Sequence, residues 1–119
     1  MSLAYGWEKL FSACHYAVGS NQTPQRRLAA VMSIYVLNLE HKDLPNLEAW
    51  ERFRKLKRAT SCKPPKGDEG TIAATTAQMT DEEAGKWLSE IMSLFSEVAE
   101  EYGRLRAGEA QIIPIRQPN

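Results

Sequence analysis

Residues 80–102 read TDEEAGKWLSEIMSLFSEVAEEY. Thr80 followed three positions later by Glu83 is the signature of a reciprocal helix start, in which each side chain meets the other's backbone N–H. Asp81, Glu82 and Glu83 place negative charge where a helix dipole favours it. Ala84, Trp87, Leu88, Ile91, Phe95, Val98 and Tyr102 then recur at intervals of three and four, one apolar stripe of a long helix. Gly103 and Gly108 offer end points, and the predicted helix stops near Leu105. A stripe this long needs partners, and the remaining sequence supplies helices rather than strands.

Upstream, Ala4 to Val18 carries Trp7, Leu10, Phe11, Cys14, Ala17 and Val18 at helical spacing, with Gly19 as a stop and Gly6 weakening the first turn. Thr23 and Pro24 make a cap and first turn for a second helix, QRRLAAVMSIYVLNLEH. Its Leu28, Val31, Met32, Ile34, Tyr35, Val36, Leu37 and Leu39 leave almost no polar face, so it is expected to be central or to meet another subunit. A third helix is predicted from Pro45 to Ala59, with Leu47, Trp50, Phe53 and Leu56 on its buried side. Residues 60–70, TSCKPPKGDEG, hold two prolines and two glycines and must be a connection. A short helix over 70–78 follows. No segment alternates as a strand would, and no repeat is visible. The expected fold is all-α: a compact single-domain bundle of four to five helices over 1–105, with a tail over 106–119 whose IIPI segment can dock on a bundle or a partner.

A chain of 119 residues suits one domain and can bury a core unaided. Formal charge is zero, which removes any whole-molecule attraction to nucleic acid or anionic lipid. The zero conceals a division. Residues 1–66 hold 11 Lys and Arg against 5 Asp and Glu, and residues 67–119 hold 4 against 10, so the halves carry +6 and −6. No apolar run reaches membrane-spanning length, and no secretory leader is expected. With two cysteines, Cys14 and Cys62, the expected setting is a reducing cytoplasm.

Candidate chemistry is sparse. Cys14, His15, His41 and Cys62 lack metal-ligand spacing, so no metal or other cofactor is expected. Cys62, in a cationic loop, is the one evident nucleophile, and no partner base accompanies it. Asp81, Glu82 and Glu83 are accounted for by the helix start, and Asp68 and Glu69 by a loop between glycines. The sharpest local feature is RFRKLKR (52–58). Arg52, Arg54, Lys55 and Arg58, joined by Lys63 and Lys66 and backed by Arg26 and Arg27, form a candidate surface for a protein partner or for nucleic acid. Phosphate neutralisation would drive the second. A wet helix face balanced by the acidic half is the simpler reading. Trp50 and Phe53 are spaced for a core rather than for stacking on bases, and nothing in HKDLPN between the second and third helices specifies a recognition helix.

Trp7-x-Lys9-Leu10, then Arg27-Leu28 with a run of small residues, then Asp43-Leu44-Pro45, resembles short bacterial all-helical proteins without an assigned function. The resemblance implies a helical fold and a bacterial or mobile-element origin, and transfers no site residue. The expectation is therefore a non-enzymatic protein working through protein contacts, a homodimer among them, with a nucleic-acid-binding regulator as the alternative.

Overall fold

The computed structural model describes residues 2–65, 67 and 70–112. Among them the protein is all-α: α1 (Ser2–Gly19), α2 (Pro24–Ala30), α3 (Leu47–Ala59), α4 (Gly70–Ala77) and α5 (Asp81–Ile112). The tail segment 113–119, Lys66, Asp68 and Glu69 lie outside the described residues. Thus the apolar IIPI segment is described only as far as Ile112, the last residue of α5.

α5 is the spine. At 1.5 Å per residue its 32 residues extend about 48 Å, in a molecule measuring 67 × 29 × 24 Å. It starts as the sequence requires: Thr80 N–H donates to Glu83 Oε1 at 2.9 Å and Glu83 N–H to Thr80 Oγ1 at 3.0 Å. It continues past Leu105 to Ile112, through both Gly103 and Gly108. Glycine lowers helix propensity by only about 1 kcal/mol, and two such residues do not terminate an otherwise favourable run. Ala84, Leu88, Ile91, Leu94 and Val98 of α5 are buried with Leu10, Leu28, Met32, Phe53 and Leu56 of the other elements in one core.

The expected burial of α1 is corrected. Leu3, Leu10, Ala13 and Ala17 face the core, whereas Phe11 is 43% and Val18 73% exposed. Gly6, Ala13 and Ala17 on the buried side are small, and this lets α1 approach closely. Gly6 shows why: a Cβ there would lie 2.0 Å from the Asp43 carbonyl oxygen. A residue that weakens helical propensity is the one that lets α1 lie against the backbone of the 3-10 turn at His41–Asp43.

The second helix also departs from expectation. Thr23 caps it, its Oγ1 accepting from Arg26 N–H at 3.2 Å. After Ala30 the chain widens into a π-helical turn, Val31–Tyr35, and the helix ends there, well short of His41. Ser33 Oγ donates back to the Ala29 carbonyl at 2.6 Å, and Val36 N–H reaches the Val31 carbonyl at 3.1 Å. Such back-bonding and wide hydrogen bonding disturb the regular α ladder. Val36 and Leu39 are still buried, while Ile34 is 68% exposed. The third helix begins two residues late. Asn46 caps it, Oδ1 accepting from Ala49 N–H at 2.8 Å, so Ala49 is buried and Leu47 is left 60% exposed.

Polar contacts fix the periphery. Gln25 Nε2 donates to the Met79 carbonyl and to Asp81 Oδ1 at 3.0 and 2.8 Å, tying α2 to the start of α5. Arg27 donates to the Ala17 carbonyl at 3.2 Å, closing the end of α1. The 60–70 connection is pinned where Lys63 N–H donates to Thr75 Oγ1 at 2.9 Å. It re-enters helix at Gly70, whose φ of +84° favours a residue without a side chain.

Candidate functional site

Two flanks of α5 carry the interactions from which a site can be built. Phe95 and Glu97 are two residues apart, so they point about 160° apart around the helix. Ile91, Leu94 and Val98 between these directions are buried in the core.

The Glu97 flank meets α3. Arg52 Nε and Nη2 donate to the two oxygens of Glu90 at 3.0 and 3.1 Å. Nη2 also donates to Ser93 Oγ at 2.9 Å, and Nη1 pairs with Glu97. A planar guanidinium suits this arrangement because its donors point in fixed directions. The hydrogen bond to Glu90, then that to Glu97, pushes the Arg52 pKa upward against the opposing effect of burial, so the group is charged at every working pH. One of the five cations of RFRKLKR therefore meets the acidic half within the chain.

The others do not converge on α5. Arg54 pairs with Glu51 on its own helix at 3.4 Å, and Lys57 lies over the Phe53 ring at 5.8 Å. Lys55, Arg58 and Lys63 are exposed. Lys66 falls outside the described residues. Arg26 turns to Gln22, and Arg27 is occupied with backbone carbonyls of Gln22 and Ala17. The candidate set is thus one structural arginine, Arg52, and a group of exposed cations.

The Phe95 flank meets α1 and is made of rings. Trp7 stacks on Phe11 at 5.0 Å and reaches Phe95 at 6.0 Å and Tyr102 at 6.3 Å. Phe11 also touches Phe95 and His15. These pairs set α1 antiparallel to α5. One turn further, Tyr16 meets Tyr35 of the π-helical turn at 5.6 Å, and Phe11, Ser12, His15, Tyr16 and Tyr35 line an open cleft of about 400 Å³. Trp7, Tyr16, Tyr35, Phe95 and Tyr102 are half-buried, and Phe11 and His15 are exposed. A band of rings therefore runs along the surface beside the core.

Sequence reading placed Phe11 and Val18 inside and so missed this band. The signal was present in excess: α1 has apolar residues on more of its circumference than one neighbour can cover. His41, read as a helix-surface residue, stacks on Trp50 at 5.8 Å. Cys14 is half-buried, and desolvation pushes its thiol pKa up, which disfavours the reactive thiolate. Cys62 is exposed, and the two thiols are not joined. Among the described residues no cluster of three or more His, Cys, Asp or Glu is placed to hold a metal ion, and no helix is long and apolar enough to cross a membrane.

Comparison of the chain with protein-family models, with curated proteins and with solved structures gives no match.

Proposed function

We propose that this is a non-enzymatic contact protein whose working surface is the aromatic band on α1 and α5. The observation that carries the reading is the half-exposed run Tyr102–Trp7–Phe11–His15 with Phe95 beside it. Tyrosine and tryptophan are enriched where proteins meet, because they bury large rigid area at little entropic cost. Rings left at the surface are more informative than scattered aliphatic residues, which any protein exposes. A bacterial origin and a cytoplasmic setting belong to the same proposal.

The nucleic-acid alternative needs rings or base-reading groups beside phosphate-binding cations. Here the larger group of rings lies on the Phe95 flank of α5, whereas the helix bearing Arg54, Lys55 and Arg58 packs on the opposite flank through Arg52 and carries beside its cations a single stacked pair, Trp50 with His41. The separation favours a protein partner for the band. Photocrosslinking amino acids placed at Phe11 and at Lys55 in living cells distinguish the two. Nuclease-resistant, protease-sensitive adducts at Phe11 are expected. Adducts confined to Lys55 and removed by nuclease would overturn the proposal.

A further inference from the structure

We infer that the outer face of α1 pairs with the same face of a second copy, the two helices antiparallel about a two-fold axis between Phe11 and Ser12. The inference rests on the contact reading above and names the occupant of that surface.

The side of α1 turned from the core presents Tyr5, Glu8, Phe11, His15 and Val18, all exposed, with half-buried Ser12 beside them. Their positions are palindromic. In an antiparallel pair centred between 11 and 12, Glu8 faces His15 of the other copy and Tyr5 faces Val18. Phe11 lies against Ser12, a residue small enough to admit a ring. Every pairing occurs twice, as a self-complementary two-fold interface requires. Carboxylate meets imidazole on both sides of the axis, Tyr5 meets Val18 at both ends, and Phe11 meets Ser12 at the centre. The parallel arrangement would set Glu8 against Glu8, so charge selects the antiparallel register. Phe11 and His15 also belong to the aromatic band, so the pairing covers its most exposed part. Eighteen residues give α1 a length of about 27 Å, and two helices meeting over that length form an interface at the small end of the specific range.

Sedimentation equilibrium of the full chain up to about 200 µM reads the association directly. A monomer–dimer equilibrium is expected, and Val18→Glu should weaken it by at least about tenfold. Val18 is 73% exposed, so this change does not strain the fold, whereas Phe11 also stacks on Trp7. Glu8→Lys and His15→Glu should each weaken the dimer by about tenfold, because every substitution strikes two symmetric pairs. Glu8→Lys combined with His15→Glu should return affinity to within about threefold of wild type. A dimer indifferent to these changes, or a double variant as weak as the singles, overturns the pairing. A chain that stays monomeric overturns it too and leaves the contact reading standing, since Phe11 adducts of a different protein would then carry that reading alone.

Discussion

α5 has among its neighbours two of opposite character, α3 and α1. Toward α3 it offers Glu90, Ser93 and Glu97, and Arg52 gathers all three. Toward α1 it offers Phe95 and Tyr102, which meet Trp7 and Phe11 without a polar clasp. The first flank uses up its charges inside the chain. The second leaves ring surface in contact with water. Saturated contacts hold a fold, and unsaturated apolar contacts are available to a partner.

Two phenylalanines make the contrast measurable. Phe53 of α3 has no exposed surface, whereas Phe11 of α1 is nearly half exposed. Phe53→Ala should destabilise the protein by about 3–5 kcal/mol, the range for emptying a buried aromatic site. Phe11→Ala should cost about 1–2 kcal/mol, because part of its area stays in water in either state. Denaturant midpoints that shift equally would place Phe11 in the core and remove the band. Trp50 and Trp87, both half-buried, should fall between the two.

Gly6→Ala attacks the seat of α1 rather than its surface. The added methyl meets the Asp43 carbonyl, and backbone cannot move aside as a flexible side chain can. Asp43 is itself held, its Oδ2 accepting from Glu40 N–H at 2.8 Å. A loss of about 1–3 kcal/mol is expected despite the better helix propensity of alanine. A stabilised variant would mean that α1 does not approach the turn so closely.

Arg52→Ala tests the polar flank. It leaves Glu90 and Glu97 facing each other without their shared cation. The three side chains are roughly a quarter to a third exposed, so solvent screening holds the loss to about 1–2 kcal/mol. The difference between wild type and variant should shrink as salt rises. A salt-independent difference would assign the effect to packing of the arginine stem.

How far these flanks were legible depends on what each required of the sequence. Helix starts are local chemistry, so Thr23-Pro24 and Thr80 with Glu83 could be read directly. Most of the core of α5 was legible because its stripe is regular, but that stripe took in Trp87, Phe95 and Tyr102, which are half-buried, and passed over Leu94, which is buried. The burial of α1 was not, because its apolar residues fit two overlapping stripes. The choice between them is made by Gly6 against Asp43, a contact across 37 positions. The end of the second helix was hidden for a similar reason: VMSIYVLNL keeps an apolar pattern through a turn that changes from α to π geometry. At the candidate surface, the sign of RFRKLKR was plain. Which arginine meets acid depends on the angle at which α3 crosses α5, and periodicity does not report that angle.

The cap of α5 gives a smaller and more local effect. Thr80→Ala should cost about 1 kcal/mol, a typical N-cap loss. Its pH dependence has a definite sign. The Thr80 backbone N–H, then the hydroxyl interaction, holds the Glu83 pKa below its usual value. A lowered folded-state pKa contributes stability that is complete above the unfolded value of about 4.3 and fades as pH falls through the folded one. Glu83→Gln keeps an acceptor for the Thr80 N–H and should flatten that part of the acid profile. An unchanged profile would assign the acid sensitivity to other carboxylates.

The smallest expected effect returns to the basic helix. Arg54, Lys55 and Arg58 are exposed, and among the described residues Arg54 pairs with Glu51, one turn away. Reversing all three to Glu should change folding stability by no more than about 1 kcal/mol, since exposed pairs contribute little. The Arg52 clasp lies on the side of α3 that meets α5, so it should survive, and with it the salt dependence of the Arg52→Ala difference. The same variant separates the two flanks functionally. If the aromatic band is the working surface, the triple reversal leaves dimer affinity and Phe11 adducts as in wild type. If exposed cations bind nucleic acid, wild type binds DNA or RNA at low salt with log K falling as log salt rises, and each lost phosphate contact flattens the slope by about 0.7–0.9. Anisotropy titrations over duplex, single-stranded and RNA probes decide between these outcomes. Salt-dependent binding abolished by the reversal would move the working surface from the Phe95 flank to α3.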